Sequence, residues 1–426
     1  MRNYDVLIVG TGVAGLFAAL NLSIDKKILI VTKGTLEEND SFLAQGGICV
    51  QRDESDFEPF FEDTLRAGHY ENNEAAVSAM IRSSGEIIGD LIDLGVAFDK
   101  KGDGFSYTKE GAHSRARILH CKDMTGKEIN SKLIARIKEQ KNVSILENST
   151  LVDLLVADGR CHGVVLRDQS GKLSNIYAEN TLLATGGIGG LFSKSTNFAH
   201  LTGDAIAVAL KHSVRVKDMD YVQIHPTSLY TGRSGRAFLM SESLRGEGAI
   251  LVGKDGQRFA DELLPRDLLT KAIYTQMEKD RLPYVRMFLK DHVEGSISER
   301  FPGIHAHCLQ EGYDLAEDYI PVVPAQHYFM GGIEVNLQSK TSLANLYAAG
   351  ETSCNGVHGK NRLASNSLLE SLVFSKRAAQ TINAESQRKT LCPFPEPDAR
   401  SIEAGLKEAN RKLLEEIGIE EEAHAK

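Results

Sequence analysis

The stretch YDVLIVGTGVAGLFAALNLS, residues 4–23, decides the fold. An apolar run of strand character meets Gly10, Gly12 and Gly15 in G-x-G-x-x-G spacing, an apolar helical pattern follows, and KKILIVTK (26–33) supplies a second strand. The triplet alone is a weak signal, but strand, turn, helix and strand in that order make a dinucleotide-binding unit. Gly10 makes the tight turn, Gly12 lets backbone approach a pyrophosphate, and Gly15 lets the helix pack on the sheet. Val13 and Ala14 open that helix, whose free N–H groups favour phosphate. The acid that ordinarily follows about 20 residues on, to hold a ribose hydroxyl, is missing. Thr32 and Lys33 stand there instead. A threonine hydroxyl can make that hydrogen bond and a lysine can meet a phosphate, so an adenosine phosphate ligand is expected more than plain NAD.

A chain of 426 residues exceeds what one hydrophobic core usually spans, so two or three lobes are expected, one interrupted by another. With 42% hydrophobic and 25% charged residues the composition is that of an ordinary globular protein. The net charge of -9 argues against a nucleic-acid binder, whose phosphate-facing surface would be basic. Six cysteines (Cys49, Cys121, Cys161, Cys308, Cys354, Cys392) are scattered without a CxxC pair, which fits reduced thiols and neither a disulfide framework nor a metal site. No apolar run reaches the roughly 18 residues of a membrane span, and the chain opens directly into a strand rather than a leader. The expected location is cytoplasmic.

Further along, SFLAQGGICV (41–50) sets Gln45, Gly46 and Gly47 where backbone can lie against a flat ligand or simply turn. Helical patterns fill about 59–95 and 126–140, and strand-like runs at 143–168 are divided by ADG, a hairpin signal. NTLLATGGIGG (180–190) is a buried strand running into Ala184, Thr185 and Gly186. Either it brings N–H groups to a cofactor edge or it is a plain strand exit. LTGDAIAVALKH (201–212) reads as a helix with Asp204 in its first turn. In residues 343–379 a short strand, 346–349, meets Gly350 and Glu351, then a polar loop, then a helix whose start carries Ser365, Asn366 and Ser367. Such a start suits a cofactor oxygen that gains negative charge, and capping serines would also explain it. SIEAGLKEANRKLLEEIGIEEEAHAK (401–426) reads as one acidic amphipathic helix. Finally, TKEGAHSRARILH (108–120) places Glu110 beside His113, Arg115, Arg117 and His120. Glu110 is either a surface ion-pair partner or a group that holds a cation such as an ammonium.

The ordered set GTGVAGL, LAQGG, LLATGG, QIHPTSLY, SESLRGEGAILV, LPRDLL, PAQHYFMGGIEV, LYAAGE and HGKNRLASNSLLES resembles the flavoprotein family of succinate dehydrogenases, fumarate reductases and L-aspartate oxidases. It runs from residue 4 to about 385, and KEGAHSRARILH with NDSFLAQGG is most similar to the aspartate oxidase branch. The resemblance implies an α/β fold: a Rossmann-like FAD-binding domain in two parts (1–225 and 339–385), an inserted α+β capping domain (226–338) and a short C-terminal helical segment (386–426). It implies FAD held by the glycine unit, by Thr32, Lys33, Ser41, Ala44 and the Gln45–Gly47 turn, by Ala184–Gly186 and Asp204, and by Gly350, Glu351, Ser365, Ser367 and Leu368. Asp40, Ser41 and Phe42 stand where membrane-complex relatives carry a flavin-linking histidine, so the FAD is expected to be noncovalent. Relatives of this family usually continue into a larger C-terminal helical domain than the roughly 40 residues here, which leaves partner contacts open.

The residues that match the family's substrate site are Gln223, His225, Thr227, Ser241, Glu242, Arg245, Arg266, His327 and Arg362. A four-carbon dicarboxylate needs such donors, because forked guanidinium and imidazole groups hold carboxylates directionally. Arg362 with His327 would clamp one carboxylate and His225 with Ser241 the other. Arg266 matches the family's proton-transfer arginine, although its physical default is charge stabilisation. Glu110 would then receive the ammonium that separates L-aspartate from succinate. The implied reaction is hydride loss from L-aspartate to give iminoaspartate, with reoxidation by oxygen or fumarate. That is the first step of NAD biosynthesis, and a quinolinate synthase would be the consumer. The rivals are a soluble fumarate reductase or succinate dehydrogenase and a noncatalytic FAD-binding protein. Metal and nucleophile chemistries lack their motifs: there is no HExxH, P-loop or GxSxG.

Overall fold

Side chains alternate along the first strand, Asn3–Val9. Val6 and Ile8 point into one hydrophobic cluster and Leu7 and Val9 into another, and all four are buried. A strand buried on both faces belongs in the middle of a sheet covered by helices. The computed structural model describes residues 3–293, 295–385 and 393–419, and it places this strand centrally in a seven-stranded sheet. The order is 143–146, 28–31, 3–9, 173–183, 160–168, 149–157, with 346–348 also paired to 173–183. Strands 28–31, 3–9, the end of 173–183 and 346–348 are parallel, and 149–168 forms an antiparallel hairpin. Asp158 (φ 49°) and Gly159 (φ 69°) make its two-residue turn, the left-handed pair that matches strand twist.

Helices Val13–Asn21, Glu74–Asp93, Thr125–Glu139 and Asn366–Glu385 cover one face, and Asp204–Lys211 with Ala399–Ile417 covers the other. The expected helical pattern over 59–95 is two helices, Phe57–Ala67 and Glu74–Asp93. His69 and Tyr70 adopt left-handed φ of 59° and 60° between them. The turn is fixed from afar: Asn73 N donates to Gly356 O (2.7 Å) and Lys360 N to Gly68 O (3.1 Å). The C-terminal helix stops at Gly418, left-handed at φ 71°, earlier than its charge pattern implies. Residues 386–392, with Cys392, and 420–426 of the expected C-terminal segment lie outside the described residues.

Strands Val222–Leu229, Ile320–Phe329, Val285–Phe288 and Ile250–Val252, the first of which begins ahead of the expected 226–338 range, form a four-stranded antiparallel sheet in that order. Their own hydrophobic cluster runs from Leu229 to Val322 and includes Met240, Leu269, Phe301 and Ile304. Residues Gly332–Glu334 leave this sheet and pair with Val216–Lys217 and Ser353–Cys354. Among the described residues, no helix is long and apolar enough to cross a membrane.

Candidate active site

The two sheets share a cavity of about 390 Å³. It opens at the carboxyl ends of strands 3–9 and 173–183, where an open α/β sheet places its ligands. Gly10, at φ 119°, turns the chain there, and a Cβ on it would stand 1.9 Å from Ala184 O. On Gly15 a Cβ would lie 2.1 Å from Gly10 O. The first helix begins at Gly12 without a side-chain cap, and Val13 N donates to Ser41 Oγ (3.2 Å). Its first-turn amides therefore offer an anion site.

Every cofactor residue expected from sequence lines this cavity except Val13 and Gly15, which stand behind the wall. Thr11 Oγ1 donates to Thr32 Oγ1 (3.3 Å). Lys33 lines the cavity, but its ammonium is committed to Asp204 Oδ2 (2.8 Å), His200 O (2.8 Å) and Thr202 Oγ1 (3.1 Å). It anchors the 200–204 segment rather than presenting a free charge to phosphate. Asp40 Oδ2, Gln45 Oε1 and Asn197 Oδ1 are buried on the wall with no hydrogen-bond partner among the described residues. Burial of that kind is costly unless a ligand supplies the bond. Burial pushes the Asp40 carboxyl up to about 7, against the Phe198 amide that bonds it, and the Glu351 carboxyl up to about 8, with Asp40 adding to the rise. A protonated carboxyl can donate as well as accept, so this wall fits the mixed polar edge of a flavin nucleotide.

At the other end, His225, Ser241, Glu242, Arg266, His327 and Arg362 face the same cavity. His225 and His327 meet edge to face, centroids 5.1 Å apart. His225 Nδ1 lies 2.9 Å from Thr227 O, and His327 Nδ1 lies 2.7 Å from Thr196 Oγ1. Burial first, then the Arg266 charge, holds both imidazoles well below the usual histidine range. An arriving dianion would reverse that second effect. Arg266 Nε donates to Glu242 Oε2 (2.6 Å) and its Nη1 to Gln223 Oε1 (2.7 Å). Gln223 in turn donates to Asn361 Oδ1 and Arg362 O, both at 2.8 Å. Arg245 donates to Glu262 O (2.5 Å) and sits 3.6 Å from Glu242. Gln223, Thr227 and Arg245 are thus behind the wall and hold the residues that form it.

Arg362 is a buried cation of this wall without a salt bridge among the described residues. Its Nη1 donates to Ser367 Oγ (2.9 Å) and its guanidinium lies over the Tyr328 ring at 4.4 Å. Burial, then repulsion by Arg266, brings it down to about 10.

The cluster around Glu110 dissolves on folding. Arg117, fully buried, pairs with Asp56 (3.0 Å) and Asp63 (2.7 Å), His120 with Asp99 (3.0 Å), and Arg115 reaches Ser55 O. His113 Nε2 donates to Ala364 O (3.0 Å) and its Nδ1 accepts from Arg117 Nη1 (3.0 Å). Glu110 itself is 2% exposed, lines the cavity, and accepts from Ser365 Oγ (2.6 Å). Burial raises its carboxyl above the ordinary range, the neighbouring Glu242 charge adds to that, and Ser365, Arg266 and Arg362 oppose it. It is no surface ion-pair partner.

Sequence reading missed Thr196, which holds His327, Asn361, which holds Gln223, and Arg236 and Asn197 on the wall. None carries a local pattern. Asp40 was noted only for not being histidine.

The glycine unit, the two-sheet cavity and its cationic end define an FAD-dependent oxidoreductase, and the model of the FAD binding domain family matches residues 5–368. The L-aspartate oxidase of Clostridium perfringens is 51% identical over 384 residues, 90% of this chain and 87% of that protein. The one from Clostridium acetobutylicum is 49% identical, covering 89% and 88%. Among solved structures, a quinol fumarate reductase chain of E. coli superposes with a TM-score of 0.84 at 29% identity, covering 97% of this chain and 74% of that one. The chain belongs to the L-aspartate oxidase family.

Proposed function

We propose that this chain oxidises L-aspartate to iminoaspartate. The observation that carries this reading is a buried carboxylate, Glu110, in one cavity with a guanidinium, Arg362, that has no ion-pair partner among the described residues. Such a wall accepts a ligand bearing both an ammonium and carboxylates. FAD, when bound along the glycine wall, supplies the hydride acceptor. Arg362 and His327 would hold one substrate carboxylate and His225 with Ser241 the other, which fixes the α-carbon in place. Glu110 would meet the ammonium. Arg266, tied to Glu242 and Gln223, would stabilise developing charge and would be the residue that serves proton transfer. Residues 226–338 would cap the site and exclude water. FAD would be noncovalent, since Asp40, Ser41 and Phe42 offer no imidazole at that wall. The cycle would close on oxygen or fumarate, and a quinolinate synthase would use the product as the second partner in NAD biosynthesis. A cytoplasmic location fits the five described cysteines, all buried free thiols.

The test is anaerobic bleaching of the flavin by L-aspartate against succinate, with Glu110→Gln beside the native protein. L-Aspartate alone should reduce the native enzyme, and the variant should lose that preference by at least tenfold. Equal reduction by succinate would instead make the chain a fumarate-type enzyme.

A further inference from the structure

Ser365 stands where the serine helix begins, and the expectation from sequence was a cofactor contact. Its hydrogen bonds reach both the Gln45–Gly47 turn and Glu110. Its Oγ lies 2.6 Å from Glu110 Oε2, across 255 residues of chain, and it also accepts from Gly47 N at 3.3 Å. A hydroxyl has one proton. With the Gly47 amide donating into its lone pair, that proton goes to Glu110. The backbone is fixed as well: Ser365 is left-handed at φ 61°, and its carbonyl accepts from Cys49 N (3.1 Å). Opposite, a Cβ on Gly46 would come 2.9 Å from Glu110 Oε1, so the bare glycine leaves space at the second oxygen. That oxygen has no protein hydrogen bond among the described residues, in a side chain that lines the cavity.

We propose, resting on the L-aspartate reading above, that Ser365 is a positioning residue for substrate choice: its hydroxyl holds Oε2 of Glu110 so that Oε1 receives the α-ammonium of an amino dicarboxylate. The groups facing Glu110 are Glu242 and Arg245 from the helix at 242–246, Arg266 from the next helix, Arg362 from the loop before Ser365, and Cys49 from the short strand beside Gly47. Glu242 opposes the charge on Glu110 and the arginines favour it. Among the described residues, Ser365 adds the one direct hydrogen bond to that carboxyl. Without it the carboxyl protonates more readily and rotates more freely, and either change costs the ammonium its partner while a plain dicarboxylate is spared.

The experiment compares Ser365→Ala and Ser365→Gly with the native holoenzyme. Gly suits the left-handed backbone, so both variants lack the hydroxyl while one of them removes any backbone strain. Flavin content, the apparent Kd of succinate from flavin perturbation, and the apparent Kd of L-aspartate from anaerobic reduction are measured from pH 5 to 9. Both variants should keep native flavin content, weaken L-aspartate about tenfold, change succinate less than threefold, and show the loss of L-aspartate affinity at a higher pH on acidification. A parallel weakening of both ligands, or a fall in flavin content, would make Ser365 a general or cofactor-binding residue and overturn the proposal. So would unchanged L-aspartate affinity. Failure of the native enzyme to be reduced by L-aspartate sinks the functional reading itself, which is a separate result from native reduction with indifferent variants.

Discussion

Replacing Arg362 by methionine separates a ligand receiver from a structural ion pair. Among the described residues the guanidinium has one hydrogen bond, to Ser367, and one ring contact, over Tyr328, against the cost of a buried charge repelled by Arg266. Losing a hydrogen bond costs about 1 kcal/mol and losing the ring contact about 1 kcal/mol more. Removing a buried charge that has no ion-pair partner returns a comparable or larger amount. Arg362→Met should therefore leave the unliganded holoenzyme within about 1 kcal/mol of native stability, or raise it. Binding should behave in the opposite way. A substrate carboxylate meeting Nε and a terminal nitrogen makes two charge-assisted bonds of about 1.5–2 kcal/mol each, so the succinate Kd should rise roughly 10²–10³-fold. The assay is denaturant unfolding with and without succinate at a concentration about 100 times the native Kd, where native protein gains about 2.7 kcal/mol and the variant gains almost none. A variant destabilised by more than about 2 kcal/mol that still gains from succinate would refute the reasoning.

Three further outcomes follow from particular contacts. The Glu351 carboxyl is raised in the folded protein to about 8 from an ordinary 4.5, so the stability it contributes is complete below about 4.5 and is lost as pH rises through about 8. Asp40 and Glu370, each near 7, act in the same direction. Flavin-free protein should accordingly lose stability across that window, and Glu351→Gln should flatten the slope in urea titrations at successive pH values. Arg117→Ala removes the buried guanidinium that bridges Asp56 and Asp63, leaving Asp63 with the half-exposed Arg66 (2.6 Å) and Asp56 with Arg115 at 4.0 Å, and should cost about 3 kcal/mol by chemical denaturation. Gly15→Ala gains about 1 kcal/mol of helix propensity, but its Cβ would sit 2.1 Å from Gly10 O against backbone that cannot swing aside. Net destabilisation of about 1–2 kcal/mol is expected, with flavin content below one per chain by absorbance.

The cofactor wall was legible because its signals are local. Strand, Gly10, Gly12, helix and strand lie within thirty residues, and steric demands on each glycine come from neighbours a few positions away or from the next parallel strand. The hairpin turn at Asp158–Gly159 was readable for the same reason: two consecutive left-handed residues between strand runs have few other uses. The helix break at 68–73 carries local signals too, Gly68 and the Asn72–Asn73 pair with Asn73 capping the second helix, which a single helical pattern over 59–95 overlooks; Gly356 and Lys360 then fix the turn from afar. The substrate end is the clearest division. Sequence placed Glu110 among two arginines and two histidines and left a surface ion pair or an ammonium partner open, and the resemblance favoured the ammonium. Proximity along a chain says nothing about who pairs with whom once long-range partners compete. Asp56 and Asp63 take Arg117 from 61 and 54 residues away, Asp99 takes His120, and Ser365 takes Glu110. By itself, then, the sequence determined residue type, local geometry and the dinucleotide unit. Only the tertiary structure decided which charges are cancelled and which remain, because that depends on burial and on partners brought together by folding.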